Sequence, residues 1–125
     1  MKKRILVADD DTAILDVIQI VLEDAGYDVD VVTNGKKVLA SSKKESILPD
    51  LVLLDIWMAG EDGREICRVL RSQQHTKDLP IILISASRDV KQSAFDAGAD
   101  DFIAKPFEME ELLIKVAEKV GTPYL

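Results

Sequence analysis

Three short runs of branched apolar residues constrain this chain more than any other feature: Ile5 to Ala8, Leu51 to Leu54 and Ile81 to Ile84. Each is too short for a helix, and none alternates with polar residues, so each reads as a strand covered on both faces. A sheet with one wet face would need polar residues at every second position. Two weaker strand candidates, Asp28 to Val32 and Asp101 to Ala104, bring the expected total to five.

Helical spacing fills the intervals. Ile14, Ile18, Val21, Leu22 and Ala25 lie on one helix face and run into Gly26, a residue suited to the left-handed stop. Met109, Leu112, Leu113, Val116, Ala117 and Val120 repeat the pattern before Gly121. Ile66, Val69 and Leu70 follow Asp62, Val90, Ala94 and Ala97 run into Gly98, and a second helix is expected around Lys36 to Ser42. Asp11 or Thr12 is expected to cap the first helix. Strict alternation of strand and helix implies right-handed crossovers, a doubly wound parallel sheet and helices on both sides: a three-layer α/β/α sandwich of the flavodoxin-like kind.

At 125 residues the chain fits one domain that needs no metal or disulfide staple. That domain is expected over residues 1–121, with 122–125 a tail or the start of a linker. The single Cys67 excludes an internal disulfide and is expected to be a buried, inert thiol. Sixteen Lys and Arg against twenty-three Asp and Glu, a formal net charge of −7, argue against direct nucleic-acid binding. The N-terminus, MKKRILVADDD, meets acids after four apolar residues, too few for a signal-peptide core, and no apolar stretch approaches membrane-spanning length. A soluble, cytoplasmic protein without membrane contact is the expectation.

In open parallel sheets, ligands bind beyond the carboxyl ends of the strands, where strand order reverses. Here the first strand ends in Asp9, Asp10 and Asp11, the third in Asp55, the fourth in Ser85, and the fifth in Lys105 and Pro106. If the strand order is 2-1-3-4-5, Asp9, Asp10 and Asp55 converge. Carboxylates so close raise one another's pKa unless a cation joins them, and hard oxygen ligands call for Mg²⁺ or Mn²⁺. No His or Cys cluster offers a zinc site. A hydroxyl at Ser85 and an ammonium at Lys105 supply the donor and the positive charge that phosphoryl oxygens require. Taken singly, each of these residues also reads as a loop residue or a helix cap. Lys105 leaves a buried strand and needs a partner, and the acidic cluster is the obvious one. His75, in SQQHTKDLP, is expected in a surface loop, and Lys36, Lys37, Lys43 and Lys44 on a solvated helix face.

The segments ILVADDD, LVLLDIWMAGEDG, PIILISAS and AGADDFIAKPF, in this order and spacing, resemble the receiver domain of two-component response regulators, the CheY-like family, over essentially the whole chain. The resemblance implies that Asp55 is the phosphoacceptor, served by a histidine kinase or a histidine phosphotransfer protein. It implies that Asp10 ligates Mg²⁺ directly, that Asp9 helps through water, and that Trp57 adds its backbone carbonyl. Ser85 matches the switch hydroxyl, Lys105 the family's lysine with a cis bond to Pro106, and Phe102 the switch aromatic. The implied cycle is Mg²⁺-dependent self-catalysed phosphorylation and dephosphorylation of Asp55. With it, Ser85 moves inward, Phe102 fills the space left, and the surface of helix four, strand five and helix five changes for a downstream protein or an output domain.

Three departures stand out. Ala59 occupies a position where the family usually has proline, which implies a less rigid loop; Trp57 is a large residue beside the site and suited to screening it from water; and Phe102 lacks a tyrosine hydroxyl. Haloacid-dehalogenase-type phosphatases share the aspartyl chemistry, but their nucleophile is followed two residues later by a second Asp, where this chain has Trp57. A flavin carrier of the same fold would need a Gly- and hydroxyl-rich phosphate loop after the first strand, where three acids stand. A receiver-like binding module that is never phosphorylated remains the alternative.

Overall fold

A computed structural model describes residues 2–43 and 48–121. The expectations for Lys44 and for residues 122–125 fall outside the described residues. The main sheet consists of β1 (Arg4–Ala8), β2 (Asp28–Val32), β3 (Leu51–Asp55), β4 (Ile81–Ser85) and β5 (Asp101–Ala104), all parallel, in the order β2-β1-β3-β4-β5. The register aligns the strand ends that matter: Ala8 lies opposite Leu54, and Asp55 opposite Ile84. Asp9, Asp55 and Ser85 therefore leave the sheet at one rim.

Because side chains alternate across a strand, the apolar runs feed two cores. Leu6, Ala8, Val52, Leu54, Ile81 and Leu83 face one way and meet α2 (Gly35–Ser41), α3 (Gly63–Ser72) and α4 (Lys91–Asp96) through Val38, Ile66, Cys67, Leu70 and Ala94. Ile5, Val7, Leu51, Leu53, Ile82 and Ile84 face the other way, against Leu15, Ile18 and Leu22 of α1 (Thr12–Asp24) and Leu112 and Val116 of α5 (Met109–Val120). Every residue of β3 and β4 is buried. Each large side chain so covered contributes roughly 1.5–3 kcal/mol relative to exposure.

The helix boundaries follow their caps. Asp11 accepts from the Ala13 and Ile14 amides at the start of α1, and Asp62 accepts from the Arg64 amide at the start of α3. Asn34 caps α2, which begins at Gly35, just ahead of the stretch expected from the sequence. A 3₁₀ turn, Arg88–Val90, leads into the six-residue α4, and neither has a side-chain cap. Gly26 and Gly98, which follow α1 and α4, have positive φ, as their stop role requires.

Two departures from the sequence reading follow from long-range contacts. His75 is half-buried, its Nε2 lying 2.7 Å from the Ser42 carbonyl oxygen, so the connection before β4 is tied to the end of α2. After Asp55 the chain also makes a small antiparallel ribbon, Trp57–Met58 against Glu61–Asp62, too short to leave a periodic signal. At its turn Ala59 has φ +49° and Gly60 φ +76°.

Candidate functional site

The site lies at the carboxyl rim of β1, β3, β4 and β5. β1 carries the chain to Asp9, whose amide still donates to the Val32 carbonyl of β2 at 3.2 Å. Its carboxylate is 2% exposed: Oδ1 accepts from the Asp11 amide at 2.9 Å and Oδ2 from Lys105 Nζ at 2.9 Å. Asp10 points outward, and its Oδ2 accepts from the Ala59 amide at 2.9 Å. Asp55 closes β3 at 5% exposure, with Oδ1 3.5 Å from Lys105 Nζ. One carboxylate oxygen from each of Asp9, Asp10 and Asp55 lies within 4.8 Å of the others.

The electrostatics of this trio are unbalanced. Burial, then the Asp9 charge, pushes the Asp55 carboxyl up from its ordinary 3.8 to about 7, although Lys105 pulls the other way. Burial works against the charge on Lys105, but its bonds to Asp9 and Asp55 outweigh that and hold the ammonium above its ordinary 10.5. One lysine on one side therefore does not neutralise the cluster. The donor set is three hard carboxylate oxygens around an under-compensated negative charge, which suits a small divalent cation and not zinc.

Ser85 ends β4, fully buried, and its Oγ accepts from the Ser87 amide at 3.1 Å. The Lys105 amide donates to the Ser85 carbonyl at 2.9 Å, and the following bond to Pro106 is cis, as expected. Phe102 lies opposite Leu83 and is 6% exposed. The Trp57 indole is 53% exposed and stacks with the Arg64 guanidinium, 4.8 Å from its ring centroid. It leans on Arg64 of α3 and is otherwise open to solvent.

The expected looseness at Ala59 is offset. A proline there would lack the amide that bonds Asp10 and would be unable to reach φ +49°, so alanine makes a tie between loop and acidic pair that proline forbids. Sequence reasoning missed Glu61, whose Oε1 accepts from the Gly35 amide at 3.0 Å, and Arg64. The only local signal for Arg64 is its place two residues after the capping Asp62. Cys67 is fully buried, and burial pushes its thiol up to about 11. Among the described residues no helix is long and apolar enough to cross a membrane.

Fold and site together define a class, and comparison with known families agrees: the chain belongs to the response regulator receiver domain family, whose model matches residues 5–117. It is 42% identical over 115 residues to the DNA-binding dual master transcriptional regulator RpaA of Synechocystis sp., a match covering 90% of this chain and 47% of that protein. The chain spans about half the length of the curated relatives it matches. The CheY-like receiver domain protein of Methanospirillum hungatei JF-1 superimposes with a TM-score of 0.85 at 34% identity, covering 96% of this chain and 94% of that one. The receiver domain of sensor histidine kinase PA1611 from Pseudomonas aeruginosa PAO1 has a TM-score of 0.84 at 27% identity, covering 98% of this chain and all of that one, and holds a magnesium ion in its active site cleft.

Proposed function

We propose that Asp55 accepts a phosphoryl group from a phosphohistidine donor, a histidine kinase or a phosphotransfer protein, and that this modification switches the surface of α4, β5 and α5. The observation that carries the reading is the convergence of Asp9, Asp10 and Asp55 within 4.8 Å of one another at the mouth of the sheet, with the Lys105 ammonium against two of them. Asp9, Asp10, Asp55 and the Trp57 backbone carbonyl would hold Mg²⁺ or Mn²⁺. When bound, the ion supplies charge neutralisation for the phosphoryl oxygens. The remaining work belongs to the chain. An Asp55 oxygen forms the new P–O bond in line as the donor's P–N bond breaks, and the imidazole leaves. Lys105 opposes the charge that develops on the phosphoryl group. The Ser85 hydroxyl donates to one of its oxygens, coupling the modification to β4 and to the turn before α4.

The donor's approach is supported by a groove of about 450 Å³ beside Lys105, lined by Ala13, Ile14, Val17, Ala86, Pro106 and Met109, which suits the apolar face of a helix. By analogy with relatives named as DNA-binding, the switched surface would serve an output module that itself contacts DNA, since the acidic excess of this chain does not suit that contact. Intact-mass measurement after incubation with acetyl phosphate tests the proposal. One phosphoryl mass should be gained with Mg²⁺, and none in excess chelator or in Asp55→Asn. Equal labelling of Asp55→Asn would overturn the assignment.

A further inference from the structure

Arg64 stands outside the acidic cluster, yet its guanidinium meets two separate parts of the molecule, the ribbon that pairs Trp57 with Asp62 and the start of α4. It sits on the first turn of α3 with its side chain 18% exposed. Nε and Nη2 form a two-pronged bond with the Asp62 carboxylate, at 2.9 Å to Oδ1 and 2.7 Å to Oδ2. Its face covers the Trp57 ring at 4.8 Å. Nη1 donates to Ser93 Oγ at 2.8 Å, and the Ser93 hydroxyl donates onward to the Val90 carbonyl at 2.8 Å. The chain of donors thus has one direction, from Arg64 through Ser93 to the residue that precedes α4. The Asp62 carboxyl is held below its usual range, chiefly by this bond, so the pair stays ionised.

An isolated six-residue helix has little stability of its own, so contacts with its neighbours set the place of α4. Neither α4 nor the 3₁₀ turn before it has a side-chain cap, so beside the buried Ala94 the Arg64–Ser93 bond is what fastens this end to α3. The other end is held by Arg71, about two turns further along α3 and so on the same face. Arg71 donates from Nε to the Gly98 carbonyl at 2.8 Å and from Nη2 to Asp100 at 2.8 Å. Helix α3 holds α4 at both ends through these two arginines, and the one at the start of α4 also stacks on Trp57, two residues after Asp55.

We infer that Arg64 is a positioning residue that couples the loop following Asp55 to the start of α4 through Trp57 and Ser93, a path that leaves the site apart from Ser85 and Phe102 and meets that of Ser85 at the turn before α4. A guanidinium is suited to this because its flat face and its edges bind different partners at once, which a lysine does not do. A shift of the Trp57 and Asp62 loop carries the guanidinium with it, and Ser93 follows. For its signal in the cell the inference rests on phosphorylation of Asp55; the link itself does not, and coupling between two sites acts equally in both directions.

Two measurements separate these parts. In chelator, Ser93→Ala should move the Trp57 indole N–H resonance and its emission, and in an Arg64→Gln background the same change should have no further effect. Then, with Mg²⁺ and acetyl phosphate, the parent should show amide shifts at Val90, Ser93 and Ala94, at least roughly halved in Arg64→Gln and in Ser93→Ala, with the extent of labelling kept and the Phe102 shift retained. Arg64→Lys should not restore the α4 response. An indole resonance unmoved by Ser93→Ala, or a full α4 response in Arg64→Gln, overturns the inference. A parent that gains no phosphoryl mass refutes the phosphorylation reading instead, while the first measurement still decides the link.

Discussion

Replacing Asp55 by Asn should stabilise the metal-free protein, and the gain should depend on pH in a direction the site dictates. The folded protein holds the Asp55 proton more tightly than the unfolded chain does, with a carboxyl raised from 3.8 to about 7. The favourable contribution of a raised group is fully present below its unfolded value and is lost as pH rises through the folded one. The full interval corresponds to about 4 kcal/mol. Between about pH 5 and about pH 8, the part lost through Asp55 is roughly 2.5 kcal/mol. Asn does not titrate, so the stability difference between Asp55→Asn and parent should widen by about that amount over this range, while groups that do not interact with Asp55 cancel. Urea melts followed by circular dichroism in chelator, at both pH values, read it directly. In millimolar Mg²⁺ the slope of the parent should flatten, because a bound cation offsets the same charge. A variant-minus-parent difference that stays constant within about 0.5 kcal/mol across the two pH values would refute the reasoning, since Asp55 would then be neither desolvated nor repelled in the way its position implies.

Ala59→Pro should lose at least about 2 kcal/mol in urea melts, because it deletes the amide that bonds Asp10 and imposes a φ the turn does not have; equal stability would mean that the turn differs from the one described. Titrating Mg²⁺ should change Trp57 fluorescence in the parent and much less in Asp10→Ala, and a flat parent trace would place the indole outside the reach of the site. The Cys67 thiol, pushed up to about 11 by burial, should resist a thiol reagent in the native protein and react once the chain is unfolded in urea. Reaction at the unfolded rate without denaturant would contradict its place in the core.

How much of this was legible beforehand depends on the range of each interaction. A strand buried on both faces keeps polar residues to its end, so the point where Leu54 gives way to Asp55, or Ala8 to Asp9, already marks the rim of the sheet. Caps act within one turn, which is why Asp11 was readable as the start of α1. Once alternation selects a parallel sheet, the strand ends and their chemistry follow from the residues alone. The sequence could not say which oxygen of Asp9 meets Lys105 or that Asp10 is tied to the Ala59 amide. Nor did it place His75 against Ser42, or Arg64 between Trp57 and Ser93. Each of these depends on where separate elements come to lie across the fold, and long polar side chains choose partners only after packing has placed the alternatives within a few ångströms. Local pattern decided what leaves the sheet and where; the tertiary structure decided which groups it meets there, because those distances are set by how the layers pack and not by spacing along the chain.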